Sequence, residues 1–342
     1  MRRLRVAQYG FCHEHAAGKM HTLRHCLRDE IELVGVVDDR ASLTPRFVNA
    51  QAAEAFADVS IMTEDELFVP GHVDVVLVET TNDDLVPTAL RCAAHGLPMH
   101  LDKPGCPDTD AFRRLVEQCR GRRLPLQMGY MFRVNPAVQF AIRAVREGWL
   151  GSIFRLEADM DHNYGNAAYD AYIASFKGGI MYNLGCHLID FIVAMLGKPD
   201  RVAPVLKPLT GHRPDATLNA LAILDYAHGF AEIRACSTRH IAASGRRLLI
   251  CGSKGTIELC PIERFDKGLE LSLALAEPAG GYDAGRHTVA FAPVRDRYEN
   301  QFRQLFSIVR GETAPDASLY GHDLTVHEVV LAASGIDAGA SP

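Results

Sequence analysis

A histidine and an asparagine stand four residues apart in the segment GGIMYNLGCHLIDF, which runs from Gly178 to Phe191. On a helix, residues with this spacing project from the same face, so Asn183 and His187 would point into one cleft. An imidazole titrates at about pH 6.5 and can accept or release a proton near neutrality. The segment therefore fits two interpretations: His187 is a catalytic acid or base with Asn183 as its helper, or His187 is a histidine buried by packing alone.

A turn containing glycine, YGFCHEHAAGK, follows a short apolar run at the start of the chain. Gly10 suits the tight turn of a dinucleotide-binding motif, although Cys12 and His15 stand where the second and third glycines of G-x-G-x-x-G would be. Phe11 and His13 complete the segment that we expect to line the phosphates of the cofactor. The turn and the helical pattern after it predict a bound dinucleotide.

The second predicted strand ends in VGVVDD, with Asp38 where a carboxylate should accept hydrogen bonds from the adenosine ribose hydroxyls. An acid at this place would repel a 2′-phosphate, so the sequence favours NAD over NADP. Arg40, two residues later, leaves NADP open.

Several histidines near the turn raise a metal-binding alternative. His21 and His25 would share one helical face, but an H-x-x-x-H pair without the acidic base or third ligand of a zinc motif is common by chance. We therefore predict no metal site and assign His13 and His15 to the phosphate turn.

Short apolar runs alternate with helix-like stretches through the first 130 residues, as in a parallel sheet with crossover helices. The predicted strands are Leu4–Tyr9, Leu33–Val37, Val73–Glu79, Pro98–Leu101 and Leu124–Gly129. The predicted helices are His13–Leu27, Pro45–Phe56, Leu85–His95 and Thr109–Cys119. Two polar segments, ETTNDD and HLDKPG, follow strands, and the carboxyl ends of such strands form the ligand-binding edge of an open sheet. We predict an N-terminal Rossmann domain, a doubly wound parallel sheet, over residues 1–128.

The pattern changes after a predicted helix at Pro136–Glu147. Longer strands of alternating polarity follow, among them IFRLEADMDH, ATLNALAILDY and GFAEIRACSTR. These predict a C-terminal α+β domain over residues 129–342 with a large open, mostly antiparallel sheet. Two final helices close the chain and could pack back on the first domain.

Composition limits the class of protein. With 342 residues, 48% hydrophobic and 23% charged, the chain has the length of two domains and the balance of a globular protein. A net charge of −6 and the lack of a long basic run argue against nucleic acid as a partner. No apolar segment approaches the length of a membrane span or a signal peptide, and the nine cysteines form no C-x-x-C pair. We expect a cytoplasmic protein with a small-molecule partner.

Four motifs in order resemble those of the Gfo/Idh/MocA family of nicotinamide-dependent oxidoreductases, over about residues 4–335. The first two are Thr80-Thr81-Asn82 and Asp102-Lys103-Pro104. The third is Gly129-Tyr130 through Arg133 with Asn135-Pro136, and the fourth is Gly178-Gly179, Gly185, His187 and Asp190. The late segment ICGSKGTIEL is also similar. Two positions depart from the family pattern: Asn183 replaces the usual aspartate, and Asp102 replaces glutamate.

The resemblance implies a Rossmann domain that binds NAD, with NADP not excluded, through the turn, the Thr80–Asn82 loop, Asp102 and Lys103. It implies a catalytic Lys103, preceding a cis peptide bond to Pro104. A lysine desolvated beside the nicotinamide cation should have a lowered pKa. We assign His187 as proton acceptor and Lys103 as the group that holds the substrate oxygen, although these two roles could be exchanged. The open sheet implies a homo-oligomer, a dimer or a tetramer.

Further candidates for substrate binding lie on segments that should flank the cleft. They are Tyr130, Arg133, His162 and Tyr164, together with Asn183 and His187. This mixture of donors and acceptors suits a hydroxyl-rich substrate. Each of the first four could instead hydrogen-bond only to nearby backbone.

Three functions agree with these residues. The first is an NAD(P)-dependent dehydrogenase acting on a sugar, inositol or related polyol. The second is a glycosidase- or lyase-type enzyme that uses tightly held NAD for a transient oxidation and accumulates no NADH. The third is a sensor without catalysis, which the altered glycine turn and Asn183 favour and the retention of Lys103 and His187 opposes.

Overall fold

The computed structural model describes residues 2–39, 54–241 and 243–336, and the chain forms two compact units. The first unit comprises the segment up to Gly129 together with Asp296–Leu324, and the second comprises Tyr130–Arg295 and the segment from Thr325. The first unit is therefore discontinuous in sequence. Arg40 and most of the predicted helix Pro45–Phe56 lie outside the described residues.

The first unit is built on a six-stranded parallel sheet with the strand order β3-β2-β1-β4-β5-β6. Its strands are β1 (Leu4–Tyr9), β2 (Ile31–Val37), β3 (Ile61–Met62), β4 (Val75–Val78), β5 (Met99–Leu101) and β6 (Leu126–Met128). Both β4 and β5 are buried throughout, which explains their unbroken apolar runs. The strand order reverses between β1 and β4, the place where open α/β sheets bind ligands. This confirms the predicted Rossmann architecture.

The α-helices that are described over their whole length are, in chain order, α1 (Ala16–His21), α2 (Glu64–Leu67), α3 (Leu85–Ala94), α4 (Thr109–Arg122), α5 (Pro136–Arg146), α6 (Ala167–Ile173), α7 (Cys186–Leu196), α8 (Glu299–Val309) and α9 (Ser318–Ala333). A π-helical turn, Thr22–Cys26, continues α1, and another, Met181–Gly185, precedes α7. None of the helices in residues 2–39, 54–241 or 243–336 has the length and apolarity to cross a bilayer.

One apolar cluster of the first unit packs α8 against the central strands of the sheet. Phe302 and Phe306 of α8 are fully buried in a cluster that also contains Leu4, Val6 and Leu77 of the central strands. Their spacing of four residues places both rings on one helical face. This packing explains why α8, far along the chain, belongs to the first unit.

The second unit is built on an eight-stranded sheet with the order β14-β13-β12-β11-β7-β10-β9-β8. Its strands are β7 (Ile153–Asp161), β8 (Arg201–Lys207), β9 (Asn219–Tyr226), β10 (Gly229–Cys236), β11 (Arg247–Gly252), β12 (Gly255–Leu259), β13 (Leu269–Leu275) and β14 (Gly285–Phe291). Only the central pair β7 and β10 is parallel among these strands. The prediction of a large, mostly antiparallel sheet is confirmed.

The helix that carries His187 is buried in the second unit and follows two glycines. Gly178 and Gly179 both have positive φ, and a Cβ on Gly179 would lie 2.5 Å from the Thr217 side chain. Only glycine fits so close an approach. The pair therefore lets the chain enter the buried segment leading to α7.

Candidate functional site

The residues predicted to hold the cofactor follow the carboxyl ends of four strands of the parallel sheet. The turn at 10–15 follows β1, and Asp38 follows β2. The loop at 80–82 comes after β4, and the pair 102–103 comes directly after β5. The topology therefore gathers these segments at one sheet edge.

The glycine turn is held against the end of β4 by backbone hydrogen bonds. Gly10 has a φ of +101°, and a Cβ at this position would lie 2.7 Å from the Glu79 carbonyl oxygen. The N–H groups of Cys12 and His13 donate to the same oxygen at 3.2 and 3.0 Å. Gly10 is thus the one glycine that this turn requires, and a cysteine is accommodated at the second position.

A carboxylate from the end of β2 lies against this turn. It belongs to Asp39, whose Oδ1 accepts hydrogen bonds from Phe11 N at 2.8 Å and from Cys12 Sγ at 2.9 Å. Burial raises the pKa of Asp39. Asp38, the predicted ribose ligand, is half-buried beside it, so its role remains a prediction and Asp39 is a second candidate.

A lysine from α1 is fully buried beneath the turn. Lys19 Nζ donates to Glu79 Oε1 at 2.7 Å, to Asp102 Oδ2 at 2.5 Å and to His100 Nε2 at 2.8 Å. An ammonium group has three donors, so these acceptors use all of them. Because His100 Nε2 accepts, the His100 proton lies on Nδ1, which donates to Gln127 Oε1 at 3.0 Å. The buried charge is therefore fully hydrogen-bonded.

The groups around Lys19 do not ionise equally. Burial raises the pKa of Glu79, and the nearby Asp102 carboxylate raises it further. Burial also opposes the ionisation of Asp102, but the charges of His13 and Lys19 hold the pKa of Asp102 well below its usual range. Burial and the Lys19 charge lower the pKa of His100. Asp102 is therefore the charged carboxylate that balances Lys19.

Lys103 projects from the end of β5 into an ion pair with the glycine turn. Its Nζ donates to Glu14 Oε1 at 2.7 Å, and the Lys103 side chain is fully buried. Burial lowers the pKa of the adjacent His15 to about 4, and the positive charge of Lys103 contributes to this shift, so His15 is neutral at neutral pH. The Lys103–Pro104 peptide bond is cis, as expected.

The residues at this sheet edge fit a bound dinucleotide. The Asn82 side-chain oxygen is buried and has no hydrogen-bond partner within residues 2–39, 54–241 and 243–336. Such an oxygen lowers stability unless a donor reaches it, and a hydroxyl or amide group of NAD would supply one. Thr81 instead donates its hydroxyl to Asp84 Oδ2 at 2.8 Å. The Gly10 turn, the acids after β2 and Asn82 are therefore the groups that would hold NAD.

Three side chains here lie close enough to hold a metal ion, namely His13, His15 and Asp102, whose ligand atoms fall within 4.8 Å of one another. The buried ammonium group of Lys19 lies 2.5 Å from Asp102 Oδ2 and would repel a divalent cation. We therefore assign the three side chains to the hydrogen-bonded network. The rings of His21 and His25 lie 4.3 Å apart, and the pair belongs to no such group among the described residues.

In the second unit, His187 is buried among aromatic rings. The rings of Tyr130 and Phe132 lie 6.1 Å from it and close to perpendicular. Arg133 donates to Asp190 with a shortest distance of 2.6 Å and lies 4.9 Å from the centre of the Tyr130 ring. Arg133 thus ties Tyr130 to α7, which gives it a structural role, while its predicted contact with substrate remains a prediction.

Asn183 lies in the π-helical turn and is fully buried beside two tyrosine hydroxyls. Its Nδ2 donates to Tyr169 Oη at 3.4 Å, and its Oδ1 accepts from Tyr172 Oη at 3.5 Å. These are long hydrogen bonds and therefore weak ones. The sequence predicts Asn183 and His187 on one regular helix, whereas Asn183 lies in a π-helical turn that precedes α7. Such turns occur frequently at functional sites.

His162 and Tyr164 follow β7 and stack with their ring centroids 4.2 Å apart. Arg246 donates to His162 Nδ1 at 3.1 Å, so His162 presents an acceptor there. Tyr164 is 50% exposed and contacts the Tyr169 ring at 4.7 Å. The two predicted residues are therefore linked through Tyr169 to the surroundings of Asn183.

Sequence reasoning missed five polar residues of the first unit: Glu14, Lys19, Asp39, Glu79 and His100. Three of them carried a usable signal, because Glu79 and His100 interrupt apolar strands and Lys19 falls in a helix that must cover the sheet. A charge at such a position requires a buried partner. Glu14 and Asp39 are each adjacent to a predicted site residue in the sequence.

Comparison with known proteins identifies matches for both parts of the chain. Residues 9–130 match the family model described as oxidoreductase family, NAD-binding Rossmann fold. Residues 138–258 match the model described as GFO/IDH/MocA C-terminal domain. The first match confirms the prediction of NAD as the cofactor of this domain.

Individual relatives are distant. The chain is 24% identical over 222 residues to YhhX, an uncharacterized oxidoreductase of Escherichia coli (strain K12), with 64% of this chain and 62% of YhhX matched. It is 26% identical over 200 residues to D-glucoside 3-dehydrogenase of the same organism, with 57% of this chain and 55% of that enzyme matched. The chain thus spans less than two thirds of the length of these two relatives.

A solved structure extends the likeness over nearly the whole chain. An oxidoreductase from Agrobacterium radiobacter, in complex with NAD+, L-tartaric acid and magnesium, has a TM-score of 0.75 at 19% identity and covers 99% of this chain and 97% of its own. At this level of identity, the likeness shows a shared fold.

Proposed function

The chain belongs to the Gfo/Idh/MocA family of oxidoreductases, and we propose that it is an NAD-dependent dehydrogenase acting on a hydroxyl carbon of a sugar, inositol or related polyol. The observation that carries the proposal is the position of Lys103. Its side chain is fully buried at the carboxyl end of β5, and its Nζ lies 2.7 Å from Oε1 of Glu14 in the glycine turn. The similarity to D-glucoside 3-dehydrogenase supports a carbohydrate substrate.

The proposed reaction divides between three side chains. Bound NAD supplies the hydride acceptor. Lys103 donates a hydrogen bond to the substrate oxygen and holds it in place, and His187 accepts the hydroxyl proton. Asn183 stands where the family usually has aspartate, and its amide can hydrogen-bond but carries no charge. The imidazolium that forms at His187 would therefore have no carboxylate at position 183 to stabilise it.

The proposal is tested with the purified protein, stripped of cofactor. Calorimetric titration with NAD and with NADP should give tight binding of NAD, and a panel of sugars and polyols should then produce NADH. A substrate consumed without NADH would favour the transient-oxidation enzyme instead. NAD binding with no substrate consumed across the panel would favour the sensor, and binding of neither nucleotide would contradict both NAD-using enzymes.

Replacing Asn183 by aspartate should raise kcat for alcohol oxidation severalfold. The two tyrosine hydroxyls beside Asn183 can donate to the new carboxylate, and a negative charge near His187 stabilises its protonated form. The pH dependence of kcat for the variant and the wild type measures this. The matched control is Asn300→Asp, at an exposed position in the first turn of α8, where a negative charge is favourable. A lower kcat in Asn183→Asp would mean that the neutral amide is adapted to the natural substrate.

We propose further that the eight-stranded sheet forms a homo-oligomer through its outer face at β8–β10. Val205, Ile223 and Phe230 lie on these three adjacent strands and are 45%, 37% and 39% exposed. Large apolar side chains exposed together on adjacent strands favour an interaction site.

The double substitution Ile223→Lys and Phe230→Glu should convert the oligomer to monomers, because the introduced charges would lose their hydration in the interface. Light scattering after size exclusion measures the mass. Ile241→Lys is the matched control, since Ile241 is 68% exposed in a turn outside the strands. Ile241→Lys should keep the mass of the wild-type oligomer. If the double variant also kept that mass, the β8–β10 face would not be the interface.

A further inference from the structure

We propose that Glu14 is a positioning residue for Lys103, whose amino group it keeps protonated and directed to one place beside the glycine turn. This inference rests on the proposed function, in which Lys103 holds the substrate oxygen. Glu14 occupies the turn that would cradle the cofactor phosphates, where an acid has no evident use in binding an anion. Its ion pair with Lys103 supplies a reason for an acid at this position.

Lys103 is held at three points. Its backbone N–H donates to Asp102 Oδ1 at 2.6 Å, and its carbonyl oxygen lies 3.1 Å from His13 Nε2. The third point is the tip of the side chain, where Glu14 Oε1 accepts from Nζ at 2.7 Å. The Lys103 side chain is fully buried and that of Glu14 is 14% exposed, so little water competes for this contact. Glu14 therefore limits the rotamers open to a long and otherwise flexible side chain.

The charges nearby make Glu14 an effective counter-ion. The other acidic residues of the network, Glu79 and Asp102, lie 2.7 and 2.5 Å from Lys19 and hydrogen-bond to that cation. Burial opposes the ionisation of Glu14, but the positive charges of Lys103 and the neighbouring histidines hold the pKa of Glu14 at about 2. Glu14 is therefore a carboxylate throughout the neutral range.

Two histidines of the glycine turn, His13 and His15, also lie near the pair. His15 Nε2 lies 3.6 Å from Glu14 Oε1, and its Nδ1 lies 3.0 Å from Asp102. His15 is neutral above a pKa of about 4 and adds no positive charge to the pair at neutral pH. His13 Nδ1 lies 2.9 Å from Asp102. The carboxylate of Glu14, 2.7 Å from Nζ, therefore favours the protonated form of Lys103.

A protonated and immobilised lysine has a defined part in the proposed reaction. It can donate a hydrogen bond to the substrate oxygen, but it cannot remove a proton. Glu14 therefore favours the assignment of Lys103 as oxygen-binding group and leaves the proton to His187. Desolvation alone would favour the neutral amine, and the carboxylate acts against it.

The test measures the protonation of Lys103 in the protein without cofactor. The protein is prepared with lysine carrying ¹³C at Cε, the Lys103 signal is assigned from the Lys103→Arg variant, and its shift is followed against pH. Glu14→Gln should lower the proton affinity of Lys103 at least about tenfold, which is one pH unit in the titration midpoint. Glu14→Asp, whose shorter side chain keeps the charge, should retain most of that affinity. Glu64→Gln, which breaks an exposed ion pair with Arg91, should leave the midpoint unchanged.

A second measurement follows turnover. In Glu14→Gln, the basic limb of the kcat profile should move to lower pH by the same amount as the Lys103 midpoint, with little change in KM for NAD. An unchanged Lys103 midpoint in Glu14→Gln would overturn the inference. If no variant oxidised any polyol while the midpoint moved as expected, the proposed function would fail and the ion-pair role of Glu14 would stand.

Discussion

Replacing Lys103 by methionine should lower kcat/KM by about 10²- to 10³-fold, the range expected when a hydrogen-bond donor to the reacting oxygen is removed. Methionine keeps most of the length and apolar volume of the lysine stem and removes the amino group. The substrate oxygen then loses its hydrogen-bond donor, and Glu14 loses the cation 2.7 Å away. Initial rates of NADH formation at saturating NAD measure the effect.

Two controls separate chemistry from folding in this variant. Lys198→Met removes a lysine of the surface pair with Glu328 and should leave the rate unchanged. Calorimetric titration with NAD should show that Lys103→Met still binds the cofactor, since the Gly10 turn and Asn82 remain. If Lys103→Met bound NAD and turned over like the wild type, the assignment of Lys103 to the reaction would be wrong.

Replacing His187 by glutamine should lower kcat by about 10²-fold and remove the acidic limb of its pH profile. Glutamine can still hydrogen-bond, but it cannot accept a proton near neutral pH. The ring of His187 also packs against Tyr130 and Phe132, so a moderate loss of stability is expected as well. Steady-state rates between pH 5 and 9 and a thermal unfolding curve measure the two effects separately.

The matched control for this second variant is His228→Gln. His228 is exposed in the turn between β9 and β10, so its replacement should change neither rate nor stability. If His187→Gln kept the wild-type kcat and lost only stability, His187 would be a histidine buried for packing and not a catalytic residue.

Much of the fold could be predicted because its signals are local. The bounds of β1, Leu4–Tyr9, agree with the prediction, and Leu85–Ala94 of α3 ends one residue early. Strands buried on both faces must be apolar throughout, whereas strands with one solvated face must alternate. This difference in residue pattern is enough to distinguish the parallel sheet from the antiparallel sheet.

The position of the cofactor-binding edge could also be predicted, because the carboxyl ends of parallel strands share one edge whatever the sequence of the loops. The family motifs then placed Lys103 and His187 on particular elements. The choice between Asp38 and Asp39 could not be made, since adjacent residues at a strand end point in different directions that depend on the local backbone.

What only the tertiary structure decided is which polar groups meet. Lys19 contacts Glu79 and Asp102, which are 60 and 83 residues away, and Lys103 contacts Glu14 across 89 residues. These pairs depend on the sheet order that places β1 beside β4 and β4 beside β5. Periodicity in a sequence reports which face of an element is buried, but a buried charge takes its partner from whichever strand lies next to it in space. The sequence by itself therefore determined the elements and the chemistry available at their ends, and the packing of distant strands decided the charge pairs in which that chemistry is held.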